Sequence, residues 1–282
     1  MYLAHFGLTE LPFGITPDTA FAFSARAHQE ALNTLLVAVG GGEGFIKITG
    51  EVGTGKTLLC RRFLASLDKH VVSAYLPNPY LKPQTLFLAL AEELGQPLSA
   101  ATQQYHLLKQ LNQTLLGFAA NDKQVVVCLD EAQALPLQSL EALRLLSNLE
   151  TEKRKLLQVV LFGQPELDEK LASPTVRQLR QRIAFHYRLS GLDRRELEHY
   201  LNHRLRVAGC RGSGLFTRAA LGVMQKATLG TPRLINILAH KSLLAVFGEG
   251  GATVGARHVR AAARDTEGVR TMRHGFFGWL PA

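Results

Sequence analysis

The residues with the clearest chemical potential form the segment GEVGTGKT, which runs from Gly50 to Thr57. The apolar run FIKIT precedes it, and the helix-forming run LLCRRFLASL follows it. Glycines let such a strand-to-helix loop wrap its backbone N–H groups around a phosphate, and the helix N-terminus adds a favourable partial charge. We expect Lys56 to reach the β- and γ-phosphates of a nucleotide and the Thr57 hydroxyl to bind Mg²⁺.

A second segment, VVVCLDEAQ, runs from Val125 to Gln133 and ends an apolar strand in two adjacent carboxylates. Asp130 follows the strand directly, where it can hold Mg²⁺ through water, and Glu131 is suited to polarise an attacking water. A carboxylate pair after a strand is weak evidence when it stands alone. Downstream of a phosphate loop, it indicates nucleotide hydrolysis.

Alternating strands and helices must position these residues. Short runs rich in Val, Ile and Leu alternate with helical runs through the first two thirds of the chain, which predicts a parallel sheet covered by helices. The predicted strands span residues 45–49, 71–76, 124–129, 157–162 and 184–189. The predicted helices between them lie near residues 57–68, 84–95, 102–119, 137–150 and 175–182.

The strand pattern stops after about Gly191 and gives way to helices. Asp193 followed by Glu196 predicts a capping box at a helix start. Further helices fit residues 217–228, 232–247 and 256–265, between glycine-rich breaks. We therefore predict three parts: an α/β nucleotide-binding domain, a helical domain and a C-terminal tail, at residues 1–191, 192–267 and 268–282.

Together, the two motifs resemble those of the AAA+ branch of P-loop ATPases. Gln164, after the strand in LLQVVLFGQPEL, matches the sensor-1 position of that family. Arg177, Arg180 and Arg182 precede the fifth predicted strand, where the family carries an arginine finger, and Arg182 is our first candidate. LGTPRLIN is similar to the sensor-2 motif, with Arg233 as its arginine. The resemblance implies a P-loop NTPase fold: a parallel five-stranded sheet with helices on both faces, followed by a small all-α lid domain.

The resemblance also implies roles for individual residues. Its catalytic residues would be Glu131, Gln164, Arg182 and Arg233, and its metal ligands Thr57 and Asp130. Phe13, Ile15 and the region around His28 would help to form an adenine pocket. The nucleotide-binding residues would be Gly50, Glu51, Val52, Gly53, Thr54, Gly55, Lys56, Thr57 and Leu58. ATP and Mg²⁺ are the implied cofactors, and a finger supplied by a neighbouring subunit implies a homo-oligomeric ring, with a hexamer as one candidate size.

Four further segments narrow the resemblance to the secretion-associated ATPases of the ExeA/GspA type, and within them to those of MSHA pilus biogenesis. These segments are YLAHFGLTELPFGITPD, FSARAHQEAL, GQPEL and GTPRLIN. The resemblance extends to about residue 267 and implies partners among secretion or pilus assembly proteins at the inner membrane. Longer members continue into a transmembrane helix and a peptidoglycan-binding domain. Neither follows here, so we do not expect direct cell-wall binding.

Charge leaves a second functional class open. The net charge is +9, and residues 151–282 carry 22 Lys and Arg against 10 Asp and Glu, whereas residues 1–150 carry 10 against 13. Such a basic half suits a DNA backbone, so a DNA-directed ATPase of the transposition or initiator-regulator type is the main alternative. A non-enzymatic scaffold that binds nucleotide with negligible hydrolysis is the other. The complete Lys, Thr, Asp and Glu set argues against it.

Composition predicts a cytoplasmic chain. Peripheral contact with the inner membrane is a second prediction about its location. Three cysteines lie far apart, so no disulfide framework is indicated. No Lys or Arg precedes Arg26, and no apolar run reaches the length of a membrane span. The final segment, GFFGWLPA, concentrates two Phe and the only Trp, and is a candidate contact for a membrane interface or a partner.

Overall fold

The structure is a computed structural model in which the described residues form two compact units. One comprises Arg26–Leu189, and the other comprises the described residues before Arg26 and after Leu189. Each unit is considered by itself below. The structure describes residues 2–16, 19–21, 23–77, 79–99, 102–146, 150, 155–212 and 214–270.

The first unit is built on a five-stranded parallel sheet with the strand order β2-β3-β4-β1-β5. Each strand lies within one residue, at either end, of its predicted span, so the predicted sheet is confirmed. The strands are β1 (Phe45–Gly50), β2 (Val71–Leu76), β3 (Gln124–Leu129), β4 (Gln158–Gly163) and β5 (Ile183–Leu189).

Helices connect these strands. Two were not predicted, α1 and α6, although α1 shows the helical spacing of buried residues in Ala31, Leu35 and Val39. The helices are α1 (Arg26–Gly40), α2 (Lys56–Ala65), α3 (Pro83–Glu93), α4 (Gln104–Ala120), α5 (Leu137–Leu146), α6 (Glu166–Ala172) and α7 (Arg177–Gln181). Short 3₁₀ turns occupy Ala132–Ala134 and Pro174–Val176.

Both faces of the sheet are covered by helices. Successive residues of each strand point to opposite sides of the sheet, so each strand contributes to two cores. Phe45 and Val127 belong to the core beneath α3, α4 and α5, whereas Ile46 and Cys128 belong to the core beneath α1 and α2. Every residue of β4 is buried, as expected for the central strand of a sheet covered on both faces. The predicted arrangement of helices on both faces is confirmed.

The second unit is helical, as predicted. Its helices are α8 (Arg194–Val207), α9 (Arg218–Thr228), α10 (Pro232–Gly248) and α11 (Ala256–Arg264), with 3₁₀ turns at Ala4–Phe6 and Thr19–Phe21. The predicted capping box is confirmed at the start of α8. The N–H of Glu196 donates to Oδ1 of Asp193 at 2.8 Å, and the N–H of Asp193 donates to Oε2 of Glu196 at 3.0 Å.

The first 25 residues belong to the helical unit, whereas the predicted division grouped them with the sheet. The physical reason is burial: Tyr2, Leu8 and Phe13 pack in the core of the helical unit. The guanidinium of Arg204 lies 4.7 Å from the ring centroid of Phe21 and donates to the carbonyl of Pro12, which ties the N-terminal segment to α8.

Among the residues that the structure describes, no helix combines the length and the apolar character that crossing a membrane requires. The predicted GFFGWLPA contact segment lies outside the described residues.

The capping box predicts a measurable contribution to stability. Replacing Asp193 by Ala should lower the free energy of unfolding by about 1 kcal/mol, because the backbone N–H of Glu196 at the start of α8 loses its acceptor. Urea unfolding followed by circular dichroism measures the change. Glu198→Ala is the matched control, since that side chain is exposed on the same helix. Equal effects of both substitutions would contradict the role of the cap.

Candidate nucleotide-binding site

The loop from Gly50 to Thr57 joins β1 to α2, which is the strand–loop–helix context that its motif predicts. Gly53 and Gly55 have φ values of 80° and 95°, in the left-handed region that favours glycine. At Gly50 the reason for glycine is space. A Cβ atom there would lie 2.8 Å from Oγ1 of Thr54 and 3.0 Å from Cβ of Leu189.

Lys56 is held inside this loop. Its side chain is buried, and its ammonium donates to the carbonyl oxygens of Gly50 at 2.8 Å and Glu51 at 3.0 Å. Burial lowers the pKa of Lys56, while the nearby carboxylates of Glu131 and Asp130 act in the opposite direction. The loop carbonyls thus accept hydrogen bonds that the ammonium can donate to phosphate oxygens instead.

Asp130 lies at the end of β3 with only 2% of its surface exposed. Burial raises its pKa, and a hydrogen bond from the Thr57 side chain partly offsets the rise. The hydroxyl of Tyr75 lies 3.4 Å from Oδ2 of Asp130. Thr57 and Asp130 therefore bring two oxygen ligands to one place, and hard oxygen donors of this kind fit Mg²⁺.

Glu131 is hydrogen-bonded to Gln164, the residue at the predicted sensor-1 position. Its Oε2 accepts hydrogen bonds from Nε2 of Gln164 at 3.0 Å and from Nε2 of Gln133. Oε1 of Gln133 in turn accepts from the backbone N–H of Gln164 at 3.0 Å. Glu131 also has a φ of 52°, which is uncommon outside glycine and clusters at functional sites.

Gln133 is the residue of this network that the sequence did not single out. It closes the quoted motif VVVCLDEAQ, so its position was visible, but nothing in the sequence indicated that it bridges two strand ends. The ammonium of Lys170, on α6, donates hydrogen bonds to the backbone carbonyl oxygens of Gln133 and Leu135.

Arg182 does not join this cluster within one chain. It precedes β5, whose first residue, Ile183, pairs with Phe45 at the start of β1, whereas the phosphate loop follows the other end of β1. At about 3.3 Å per residue, the length of β1 separates the two levels by about 17 Å. Arg182 is half-buried and donates to the carbonyl of Arg144 at 3.4 Å, while Arg177 and Arg180 are exposed on α7.

Arg233 belongs to the helical unit, where it lies exposed in the first turn of α10. The turn before it packs closely on Gly191 and Leu192. The N–H of Leu192 donates to the carbonyl of Gly230 at 2.8 Å. A Cβ atom on Gly230 would lie 2.0 Å from the carbonyl oxygen of Leu192, and one on Gly191 would lie 2.2 Å from that of Leu229. Two glycines therefore fix the turn from which Arg233 projects.

Comparison with known proteins shows what the sheet unit is similar to. Residues 39–171, which include the phosphate loop, Asp130, Glu131 and Gln164, match the family model described as an AAA domain. The sheet unit is therefore similar to an AAA domain. The chain is also similar to the General secretion pathway protein A of Aeromonas hydrophila, with 40% identity over 270 residues, which are 96% of this chain and 49% of the relative. The chain thus spans about half the length of that relative.

Solved structures share the fold of the sheet unit and the fold of the helical unit. The ORC2 protein of Aeropyrum pernix in its ADPNP–ADP complexes gives a TM-score of 0.63 at 17% identity, covering 90% of this chain and 73% of that one. Cdc6p of Pyrobaculum aerophilum gives 0.64 at 18% identity, covering 89% and 71%. The RuvB branch migration motor of Thermotoga maritima gives 0.54 at 17%, covering 91% and 73%. These likenesses confirm the predicted fold class.

The buried carboxylate of Asp130 is expected to lower the stability of the folded protein at neutral pH. Its pKa is raised in the folded state, so its ionisation at neutral pH costs the folded protein free energy. Asp130→Asn should therefore raise the unfolding midpoint of the nucleotide-free protein at neutral pH. This gain should fade as pH falls and the wild-type carboxyl takes up its proton. Urea unfolding over a pH series measures it. A loss of stability that is equal at all pH values would contradict the assignment.

Proposed function

We propose that this chain is a Mg²⁺-dependent ATPase of the AAA+ class that powers the assembly of a type II secretion or type IV, MSHA-like, pilus machine. One observation carries the ATPase part. Buried Lys56, the Thr57–Asp130 pair and the Glu131–Gln164 contact all lie at one edge of the five-stranded sheet.

Nucleotide binding is proposed for the loop residues 50–58. Backbone N–H groups and the N-terminus of α2 would hold the β-phosphate, and Lys56 would exchange loop carbonyls for phosphate oxygens. Thr57 and Asp130 would hold the magnesium ion, which when bound offsets the negative charge of the phosphates. These roles would apply equally to ADP, so they describe binding rather than turnover.

Turnover is proposed for Glu131 and Gln164. The carboxylate of Glu131 would orient a water molecule and accept its proton. Its hydrogen bonds from the amides of Gln164 and Gln133 fix its direction without neutralising it, because amides are not acids. Gln164 would sense the γ-phosphate through the same amide.

We propose that a second subunit completes the site. The register of β1 and β5 supports this, because Arg182 lies at the opposite end of the sheet from the phosphate loop of its own chain. A neighbouring copy would supply Arg182 as the finger in a ring, with a hexamer as one candidate. Arg233, set by the Gly191–Gly230 contact, would tie the helical unit to the nucleotide state.

The cellular role rests on similarity. The 40% identical relative is named for general secretion, and this supports secretion or pilus assembly proteins at the inner membrane as partners. The MSHA-like assignment rests on the sequence segments described above. A cytoplasmic chain with peripheral membrane contact is the location that fits this role.

A DNA-directed ATPase is the second candidate, favoured by the basic composition of residues 151–282. The ORC and Cdc6 likenesses do not add to it, because at 17–18% identity they support the fold alone. Filter binding at low salt tests this candidate. Retention of DNA that weakens steeply with added salt would favour it over the secretion role.

Glu131→Gln separates hydrolysis from binding. The substitution should leave ATP affinity nearly unchanged and lower turnover by about 10²–10⁴-fold, because the amide cannot accept the proton of water. Equilibrium binding and phosphate release measure the two effects. Glu92→Gln is the matched control, as an exposed glutamate in the same unit. Undiminished turnover in Glu131→Gln would remove Glu131 from its role, and negligible wild-type turnover at every protein concentration would favour the scaffold.

Mixing variants tests the finger in trans. Lys56→Ala should lose nucleotide binding, and Arg182→Ala should bind nucleotide but turn it over about 10³–10⁵-fold more slowly. Mixed together, the two inactive variants should recover activity, because Lys56→Ala subunits would lend their arginine to intact sites. Arg177→Ala is the matched control, as an exposed arginine on α7. If mixing restores nothing, Arg182 is not a finger in trans.

A further inference from the structure

His28, on the first turns of α1, contacts the phosphate loop directly. The side chain is 8% exposed, and its Nε2 lies 2.8 Å from the carbonyl oxygen of Thr54. A carbonyl only accepts hydrogen bonds, so Nε2 carries the proton and donates it. The resemblance described above placed the region around His28 in an adenine pocket. The observed contact is with the loop that precedes Lys56.

Gly55 explains why the contact is close. A Cβ atom on Gly55 would lie 2.8 Å from Nε2 of His28, so the imidazole fills the space that a side chain at this position would need. Gly55 also has a φ of 95°, which an L side chain rarely adopts. The imidazole therefore packs against the very peptide that joins Thr54 to Gly55.

We propose that His28 is a positioning residue for the phosphate loop. The Thr54 carbonyl and the Gly55 N–H belong to one planar trans peptide, in which they point in opposite directions. By fixing the carbonyl, His28 fixes the direction of an N–H in the loop whose N–H groups hold phosphate. This inference rests on the proposed nucleotide binding at residues 50–58, and it assigns His28 to the phosphates rather than to the base.

A phosphate role and a base role differ in what they do to different ligands. If His28 orients the loop, its loss weakens every ligand that carries the same phosphates, whatever the base. Inorganic tripolyphosphate, which has no base, is then affected as much as ATP and GTP. If His28 contacts adenine instead, its loss weakens ATP and leaves tripolyphosphate binding unchanged.

The experiment measures the affinity of the full chain for ATP, GTP and tripolyphosphate by calorimetry, with Mg²⁺ present. His28→Ala should weaken all three by a similar factor of about tenfold, as expected for one buried hydrogen bond. His28→Gln keeps an N–H donor near the position of Nε2 and should recover most of the loss. His28→Leu fills the space without a donor, so it should behave like His28→Ala and serves if the alanine variant does not fold.

Gln29→Ala is the matched control, because Gln29 is exposed on the same helix. Unchanged tripolyphosphate affinity in His28→Ala and His28→Leu would overturn the inference, and so would a failure of His28→Gln to differ from His28→Leu. A wild-type chain that binds neither ATP nor tripolyphosphate would instead overturn the proposed function, and the inference with it. Thermal unfolding of each variant separates a positioning effect from a general loss of stability.

Discussion

The candidate site depends on one constraint, which is that β1, β3 and β4 are neighbouring parallel strands and end at the same edge of the sheet. Each strand is followed at once by polar residues: the phosphate loop after β1, Asp130 and Glu131 after β3, and Gln164 after β4. Because the strands are buried on both faces, these residues cannot shift without disturbing the core. The hydrogen bond between Glu131 and Gln164 is the local consequence of that alignment.

This arrangement concentrates buried charge at one place. Lys56 and Asp130 are both buried, and burial opposes the charged form of each. The chain meets the cost locally, with loop carbonyls for the ammonium and the Thr57 hydroxyl for the carboxylate. Such contacts are moderate in strength and exchangeable, which suits a site whose proposed ligands are phosphate oxygens and a metal ion.

Parallel strands also explain why the arginines before β5 stand apart from this edge. A residue at the amino end of a strand lies at the opposite edge of the sheet from a residue at its carboxyl end. Strand polarity thus keeps Arg182 away from the phosphate loop of its own chain, and this is the reason for the proposed dependence on a second subunit. The glycine contact that sets the turn before Arg233 is a separate device, since it lies wholly within the helical unit.

Local pattern was enough to determine much of this protein. The five strands, the phosphate loop between a strand and a helix, and the capping box before α8 were all readable, because each is encoded by neighbouring residues. Tertiary structure alone decided the strand order, the pairing of Gln133 with Glu131 and Gln164, and the contact of His28 with Thr54. It also decided that the first 25 residues pack with the helical unit. The physical reason is that periodicity tells which side of an element is buried, but not which distant element buries it.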